Sequence, residues 1–305
     1  MAREQYVSQV QLLVRSLPYI GEEKAFALKG GTAINLFYRD LPRLSVDIDL
    51  TYLPVKPREE SLRDIDETLD RIGSNISQYL RGAKVRRIAG GGGNETRLEV
   101  SQGATVIKVE TSPVARGTVH PVEIRTVSEK VEDEFGFAEM QVLSFEDLFA
   151  GKLHAAVDRQ HPRDLFDVKL LFANEGFTDA LFRTFLIYVA SSGRPPHELL
   201  APSITDIEAT FRQEFEGMTV EPVELEDLLE VRSRLLADIR DKLDVHARTF
   251  LLSLHDCEPD FDVVGLPQAV NLPAVRWKLL NLQKLKDQNP RKHEQQRDEI
   301  EGLFE

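Results

Sequence analysis

At 305 residues, with 42% hydrophobic and 29% charged side chains, the chain has the composition of an ordinary globular protein with room for two domains. Its apolar runs, such as Val168-Lys169-Leu170-Leu171-Phe172-Ala173, fall short of the roughly eighteen residues that a membrane helix needs. No apolar segment follows Met1-Ala2-Arg3-Glu4-Gln5 as a secretory signal would, so no membrane association and a cytoplasmic location are expected. The single cysteine, Cys257, excludes an intrachain disulfide and a Cys-rich zinc site, and the seven histidines show no zinc-ligand spacing.

A net charge of −13 argues against a protein that coats nucleic acid non-specifically, but the charge is unevenly spread. Residues 203–262 hold sixteen acids against six bases, whereas 270–297 hold seven bases, among them Arg276, Lys278, Lys284 and Lys286, against two acids. Residues 80–125 add eight bases against four acids. Fields act over a Debye length of about 8–10 Å, so such patches can hold a polyanion on an acidic protein; a solvated helix face is the alternative for 270–297.

In chain order, Val7, Val10, Val14 and Leu17 lie at helical spacing, and Pro18 is expected to end that helix. Ala25-Phe26-Ala27-Leu28 reads as a buried strand that stops at Gly30-Gly31, with a helix over 32–38 to follow. Val46-Asp47-Ile48-Asp49-Leu50 alternates as a half-buried strand does. Residues 59–80 form the clearest helix, with Leu62, Ile65, Leu69, Ile72, Ile76 and Leu80 on one face. Strands are predicted over 84–88, 96–100, 105–111 and 122–127, the first two joined by a Gly90-Gly91-Gly92-Gly93 hairpin loop. Beyond Leu143 the pattern is helical: 145–158, 163–173, 179–190, 223–243, 247–255 and 274–287. The fold class is therefore α+β, with strands early and helices late, and Ser191-Ser192-Gly193-Arg194-Pro195-Pro196 marks a boundary between domains at 1–192 and 193–305.

Asp47 and Asp49 are two apart on a strand and so share a face, where they can chelate one or two Mg²⁺ ions together. The spacing alone is weak, since about eight acid-x-acid pairs arise by chance in so acidic a chain. Context strengthens it. Gly30-Gly31-Thr32 ends a strand and opens a helix, where glycines let backbone amides approach an anion, the helix N-terminus adds positive character, and the Thr32 hydroxyl adds a donor. That arrangement suits the β- and γ-phosphates of a nucleotide. A third carboxylate is expected on a neighbouring strand; Glu110, which shares a face with Lys108, is preferred to Glu123 and Glu99, and is able to take the proton of an attacking hydroxyl. Farther on, Lys152 and Arg159 lie on one helical face, either as a phosphate clamp or as a solvated charged surface, and Asp164 after Pro162 is accounted for by the helix dipole alone.

The strings Leu28-Lys29-Gly30-Gly31-Thr32-Ala33 and Leu41-Pro42-Arg43-Leu44-Ser45-Val46-Asp47-Ile48-Asp49-Leu50 closely resemble the AbiEii/AbiGii nucleotidyltransferase toxins, to which the MenT toxins are similar. Lys152 and Arg163-Asp164-Leu165-Phe166-Asp167 resemble that family's downstream motif. Thr32 stands where the wider superfamily often has serine, and Glu110 where many members have aspartate; both keep the needed chemistry. The resemblance implies a polymerase-β-like nucleotidyltransferase domain, a small mixed sheet flanked by helices, followed by a mainly helical domain. It implies Mg²⁺, a nucleoside triphosphate substrate, transfer to an RNA end such as the tRNA acceptor stem, blocked translation, and a cognate antitoxin encoded nearby. Carried onto this chain, Gly30, Gly31 and Thr32 bind phosphates, and Asp47, Asp49 and Glu110 hold metal. Lys152 contacts the triphosphate or the acceptor end, and Asp167, or else Asp164, orients the nucleotide or Lys152. Modification of a small molecule or a protein hydroxyl by the same core is the alternative enzyme reading, and a catalytically dead binding module is a third.

Overall fold

Alternation along residues 46–50 predicts a strand with one apolar and one acidic face, and that strand lies at the centre of a seven-stranded mixed sheet. The structure, a computed structural model, describes residues 2–88 and 96–305; the Gly90–Gly93 loop lies outside the described residues. The chain divides into two compact units, residues 1–144 with 218–221, and 145–217 with 222–305. This division by packing comes earlier in the chain than the compositional break at 191–196, which falls inside the second unit.

The first unit begins with α1 (Ala2–Gly21), β1 (Phe26–Lys29) and a short helix α2 (Gly30–Ala33) that passes into a π-helical turn, Ile34–Tyr38. It continues with β2 (Asp47–Tyr52), α3 (Arg58–Tyr79), β3 (Ala83–Ile88), β4 (Arg97–Gln102), β5 (Thr105–Thr111), β6 (Glu123–Thr126), α4 (Glu129–Phe135) and β7 (Glu139–Val142). The strand order is β3-β4-β5-β2-β1-β7-β6. β2 is antiparallel to β1 and parallel to β5. Ile48, Val109 and Leu98 pair across β2, β5 and β4, and all are at most 1% exposed. α3 covers that apolar face, with Gly73 closing against Val85 and Leu98. Tyr52 donates a hydrogen bond to Asp64, which ties α3 to the end of β2.

Two sequence expectations change. α1 runs through Pro18 to Gly21 instead of stopping there. Ile20 is fully buried together with Leu17, and burial worth roughly 1.5–3 kcal/mol offsets much of the ~3 kcal/mol cost of a helix proline. The segment expected as a plain helix over 32–38 passes from α2 into a π-helical turn and is buried at every position from Thr32 to Phe37. α4 and β7 carry no periodicity strong enough to have been predicted.

The second unit is helical: α5 (Phe145–Asp158), α6 (Pro162–Asn174), α7 (Asp179–Ala190), α8 (Pro196–Leu200), α9 (Glu208–Glu214), α10 (Leu225–Lys242), α11 (Val245–His255), α12 (Pro273–Gln288) and α13 (Pro290–Glu301). α5 packs on α6 and α7, and α13 on α11 and α12. Among the described residues no helix is long and apolar enough to cross a membrane.

Candidate active site

Backbone register assembles the acidic face of the sheet. Lys29, Asp49, Glu110 and Arg97 form one row across β1, β2, β5 and β4. Asp47, Lys108, Glu99 and Arg86 form the next row across β2, β5, β4 and β3. Paired residues project to the same side, so Asp47, Asp49 and Glu110 share a surface, opposite the buried Ile48 and Val109. Adjacent strands lie about 4.8 Å apart, which sets Glu110 beside Asp49. Glu123 is on β6, three strands from β2 and thus on the order of 14 Å away, and it pairs with Arg125 at 2.6 Å. Glu99 is two strands from Asp47; its hydrogen bond with Arg86 holds its carboxyl below the usual range.

The Gly30-Gly31 pair is required by close approach. Gly30 has φ of 73°, and a Cβ there would lie 2.8 Å from Asp49 Oδ2. A Cβ on Gly31 would lie 2.6 Å from the Arg43 guanidinium and 2.9 Å from Ser45 Oγ. Arg43 is only 3% exposed, and its segment is fixed by Leu44 N–H donating to the Met218 carbonyl and Val220 N–H to that of Pro42. The extended Lys29 that precedes α2 makes no side-chain cap hydrogen bond, so the first amides of the turn suit an anion. Thr32 differs from expectation. Its hydroxyl is buried and donates to the Asp47 carbonyl at 2.5 Å, with Ser45 Oγ 3.0 Å away, which pins the start of β2 to the glycine turn.

The carboxylates offer the hard oxygen donors that Mg²⁺ takes, on adjacent strands and one face, so donor type and backbone placement fit the ion. As the side chains stand, no group of three or more His, Cys, Asp or Glu among the described residues converges closely enough to hold a metal. Glu110 is instead paired with Arg97 at 3.2 Å. Sequence reasoning assigned no part to Lys29, Arg43 or Arg97. Arg43 stood within the matching string, and strand alternation put Arg97 on the side of Glu99, but which strand lies beside which is set by topology.

The second unit holds its own charged cluster. Lys152 on α5 pairs with Asp164 at 2.8 Å and Asp167 at 2.9 Å, both on α6, and Arg159 reaches Asp164 at 2.6 Å. Both aspartates are fully buried and Lys152 is 7% exposed. The expectation of a solvated face at Lys152 is therefore corrected, as is that of Asp164 serving only the helix dipole. Apolar contacts among α5, α6 and α7 carry the cluster inward, and two cations balance two carboxylates there. Burial pushes the Asp164 carboxyl up, but Lys152 and Arg159 outweigh it and hold the group far below the usual carboxylate range.

Three predictions follow from these geometries. Glu110→Gln is expected to lose turnover and to shift the Mg²⁺ dependence of any remaining activity, whereas Glu123→Gln leaves both near wild type; titrating rate against Mg²⁺ for the two proteins decides between the carboxylates. The second concerns acid. Because the folded pKa of Asp164 is depressed, its contribution is complete above the unfolded value and fades as pH falls below about 4. The urea midpoint of the wild type is expected to drop between pH 6 and pH 3 more than that of Asp164→Asn. Lys152→Met, which removes the ammonium that both buried aspartates face, is expected to cost about 3–5 kcal/mol.

The comparisons with known proteins bear on the family and on the fold. The family described as nucleotidyl transferase AbiEii toxin, type IV TA system, matches residues 11–279. Among solved structures, the nucleotidyltransferase toxin MenT4 of Mycobacterium tuberculosis H37Rv superposes with a TM-score of 0.62 at 16% identity, covering 91% of this chain and 93% of that one. At that identity the likeness speaks for the fold. No curated protein sequence matches. The glycine turn, the paired aspartates and the matched span together identify the chain as a member of the AbiEii family of nucleotidyltransferase toxins.

Proposed function

We propose that this chain transfers a nucleoside monophosphate from a nucleoside triphosphate to an RNA end such as the tRNA acceptor stem, and thereby blocks translation. The observation that carries this reading is the row joining Asp49 to Glu110, with Asp47 two residues earlier and the Gly30-Gly31 turn against the Asp49 carboxylate. Mg²⁺ held by Asp47, Asp49 and Glu110 would supply charge neutralisation at the reacting phosphate. The Gly30 and Gly31 amides hold the β- and γ-phosphates, and Arg43 adds positive charge beside them. Thr32 acts by fixing the turn to β2. The acceptor hydroxyl attacks the α-phosphorus, a new oxygen–phosphorus bond forms, the bond to the bridging oxygen breaks, and pyrophosphate leaves. The hydroxyl proton passes to Glu110.

Lys152 is assigned contact with the triphosphate or the acceptor end, with Asp167 and Asp164 orienting it. All of these residues fall within 1–192, which we take as the catalytic module, with 193–305 as the helical one. An antitoxin encoded nearby is the expected protein partner.

Incubating the protein with total RNA and each labelled triphosphate tests the reading. Label is expected in RNA with at least one triphosphate, in a Mg²⁺-dependent manner, and Asp49→Ala is expected to reduce it about a hundredfold or more at unchanged melting temperature. Label in protein or in a small molecule, with none in RNA, would transfer the assignment to that acceptor class.

A further inference from the structure

α12 presents an outward face unlike the rest of this acidic chain. Trp277 and Leu280 are 58% and 65% exposed, and Arg276 and Lys284 flank them at helical spacing. Lys286, Arg291 and Lys292 are exposed nearby. Beside Trp277 opens a cleft of about 260 Å³, lined among others by Ser192, Gly193, Lys278, Asn281 and Gln296, with no carboxylate among the described lining residues. Lys278 does not lie on the outer face with Arg276 and Lys284, as the sequence suggested. It is 6% exposed, its ammonium donates to the Arg194 carbonyl at 2.5 Å, and among the described residues it forms no salt bridge. Burial lowers its pKa to about 8. An ammonium that donates to one neutral oxygen, with the Glu198 carboxylate acting on it only through its field, retains donors for an anion.

Size and chemistry select the occupant. Drug-sized ligands fill pockets of roughly 300–1,000 Å³, so this cleft suits one flat ring system better than a whole nucleoside triphosphate. An exposed indole gives such a ring a stacking surface, the amides of Asn281 and Gln296 offer donors and acceptors to its edge, and the flanking cations match a phosphate chain. Gly193 adds room, since nothing lies within 4 Å of where its Cβ would stand.

We propose that this cleft binds one unpaired nucleotide of a single-stranded RNA, with the base stacked on Trp277 and the adjoining phosphates held by Lys278, Arg276 and Lys284. The proposal rests on the reading of RNA as acceptor, and it adds where on the second unit, and by what contacts, a strand is gripped.

Trp277 is the only tryptophan in the chain, so intrinsic fluorescence reports on this cleft alone. Titrating the Asp49→Ala protein, whose RNA-binding surface is intact, with a mixed-sequence single-stranded RNA octamer is expected to quench Trp277, while a duplex of the same length quenches it weakly. By anisotropy with labelled octamer, Trp277→Ala is expected to weaken binding about tenfold, with Trp277→Phe recovering most of the loss. Gly193→Leu, which fills the cleft without changing charge, is expected to weaken binding comparably. Arg276→Gln with Lys284→Gln is expected to flatten the salt dependence, by about 0.7 in the log–log slope per lost contact. Unchanged emission at saturating RNA, with wild-type affinity in Trp277→Ala and Gly193→Leu, would overturn the proposal, and labelled RNA in the transfer assay would still leave the acceptor reading standing. Quenching by free triphosphate at the same concentrations, or a change in emission only on self-association, would overturn it in favour of those occupants. Quenching by the octamer from a protein that labels no RNA would uphold the cleft and remove the acceptor reading instead.

Discussion

The backbone of Gly30 lies against the carboxylate of Asp49, and this contact sets the geometry of the first unit. A side chain at Gly30 would collide with Asp49, and a side chain at Gly31 would collide with Arg43 and Ser45. The turn brings the end of β1 over the start of β2 at a distance that only glycine permits. Thr32 then closes the arrangement by donating to the Asp47 carbonyl. Anion-suited amides, a buried guanidinium and two carboxylates thus share one corner, each held by backbone rather than by a flexible side chain. Such placement is what a phosphate-transfer site requires, since positioning supplies much of its catalysis.

Charge balance follows the same logic in both units. In the first, Asp49 and Glu110 stand next to each other, and the row is flanked by Lys29 and Arg97. In the second, Asp164 and Asp167 are wholly buried and are compensated by Lys152 and Arg159. The two arrangements differ in solvent. The sheet row is partly open, so its pairs are screened and contribute little stability. In the cluster the two aspartates and Lys152 are buried, and only Arg159 reaches solvent, so removing one of the buried members is costly. Loss of activity in a Lys152 variant therefore carries weight only beside its melting temperature, whereas loss in an Asp49 variant is directly informative.

Much of this was legible in the sequence. Strict alternation around Asp47 and Asp49 set their common face, and the glycine pair before an apolar helical run set the turn. The helices α5 and α7 follow from periodicity to the residue. What sequence could not supply was adjacency. Glu110, Glu99 and Glu123 all sit on strands, and only the order β4-β5-β2-β1-β7-β6 separates a neighbour of Asp49 from a residue three strands away. Burial of charge was equally hidden. Lys152 and Lys278 look like surface lysines in one dimension, and both are inside, because their partners come from α6 and from the 191–196 segment. The helix proline misled for a related reason, since the depth at which Ile20 is seated is a property of the packed core.

The Arg97–Glu110 pair bears on how such a site is held before it is loaded. Two carboxylates on neighbouring strands repel, and an arginine at 3.2 Å from one of them relieves that repulsion. The pair is partly exposed, with side chains 40% and 27% accessible, so it is worth on the order of 0–1 kcal/mol. Asp47, Asp49 and Glu110 would hold a divalent ion together, and that ion would supply more positive charge to Glu110 than the guanidinium does. A pair of that strength steadies Glu110 beside Asp49 and would not hold it against a divalent cation. Strand register keeps the guanidinium on the same face as Asp49 and Glu110, as a positive group beside the two carboxylates. A single weak ion pair, fixed by strand register, thus offsets the repulsion within a face built from like charges.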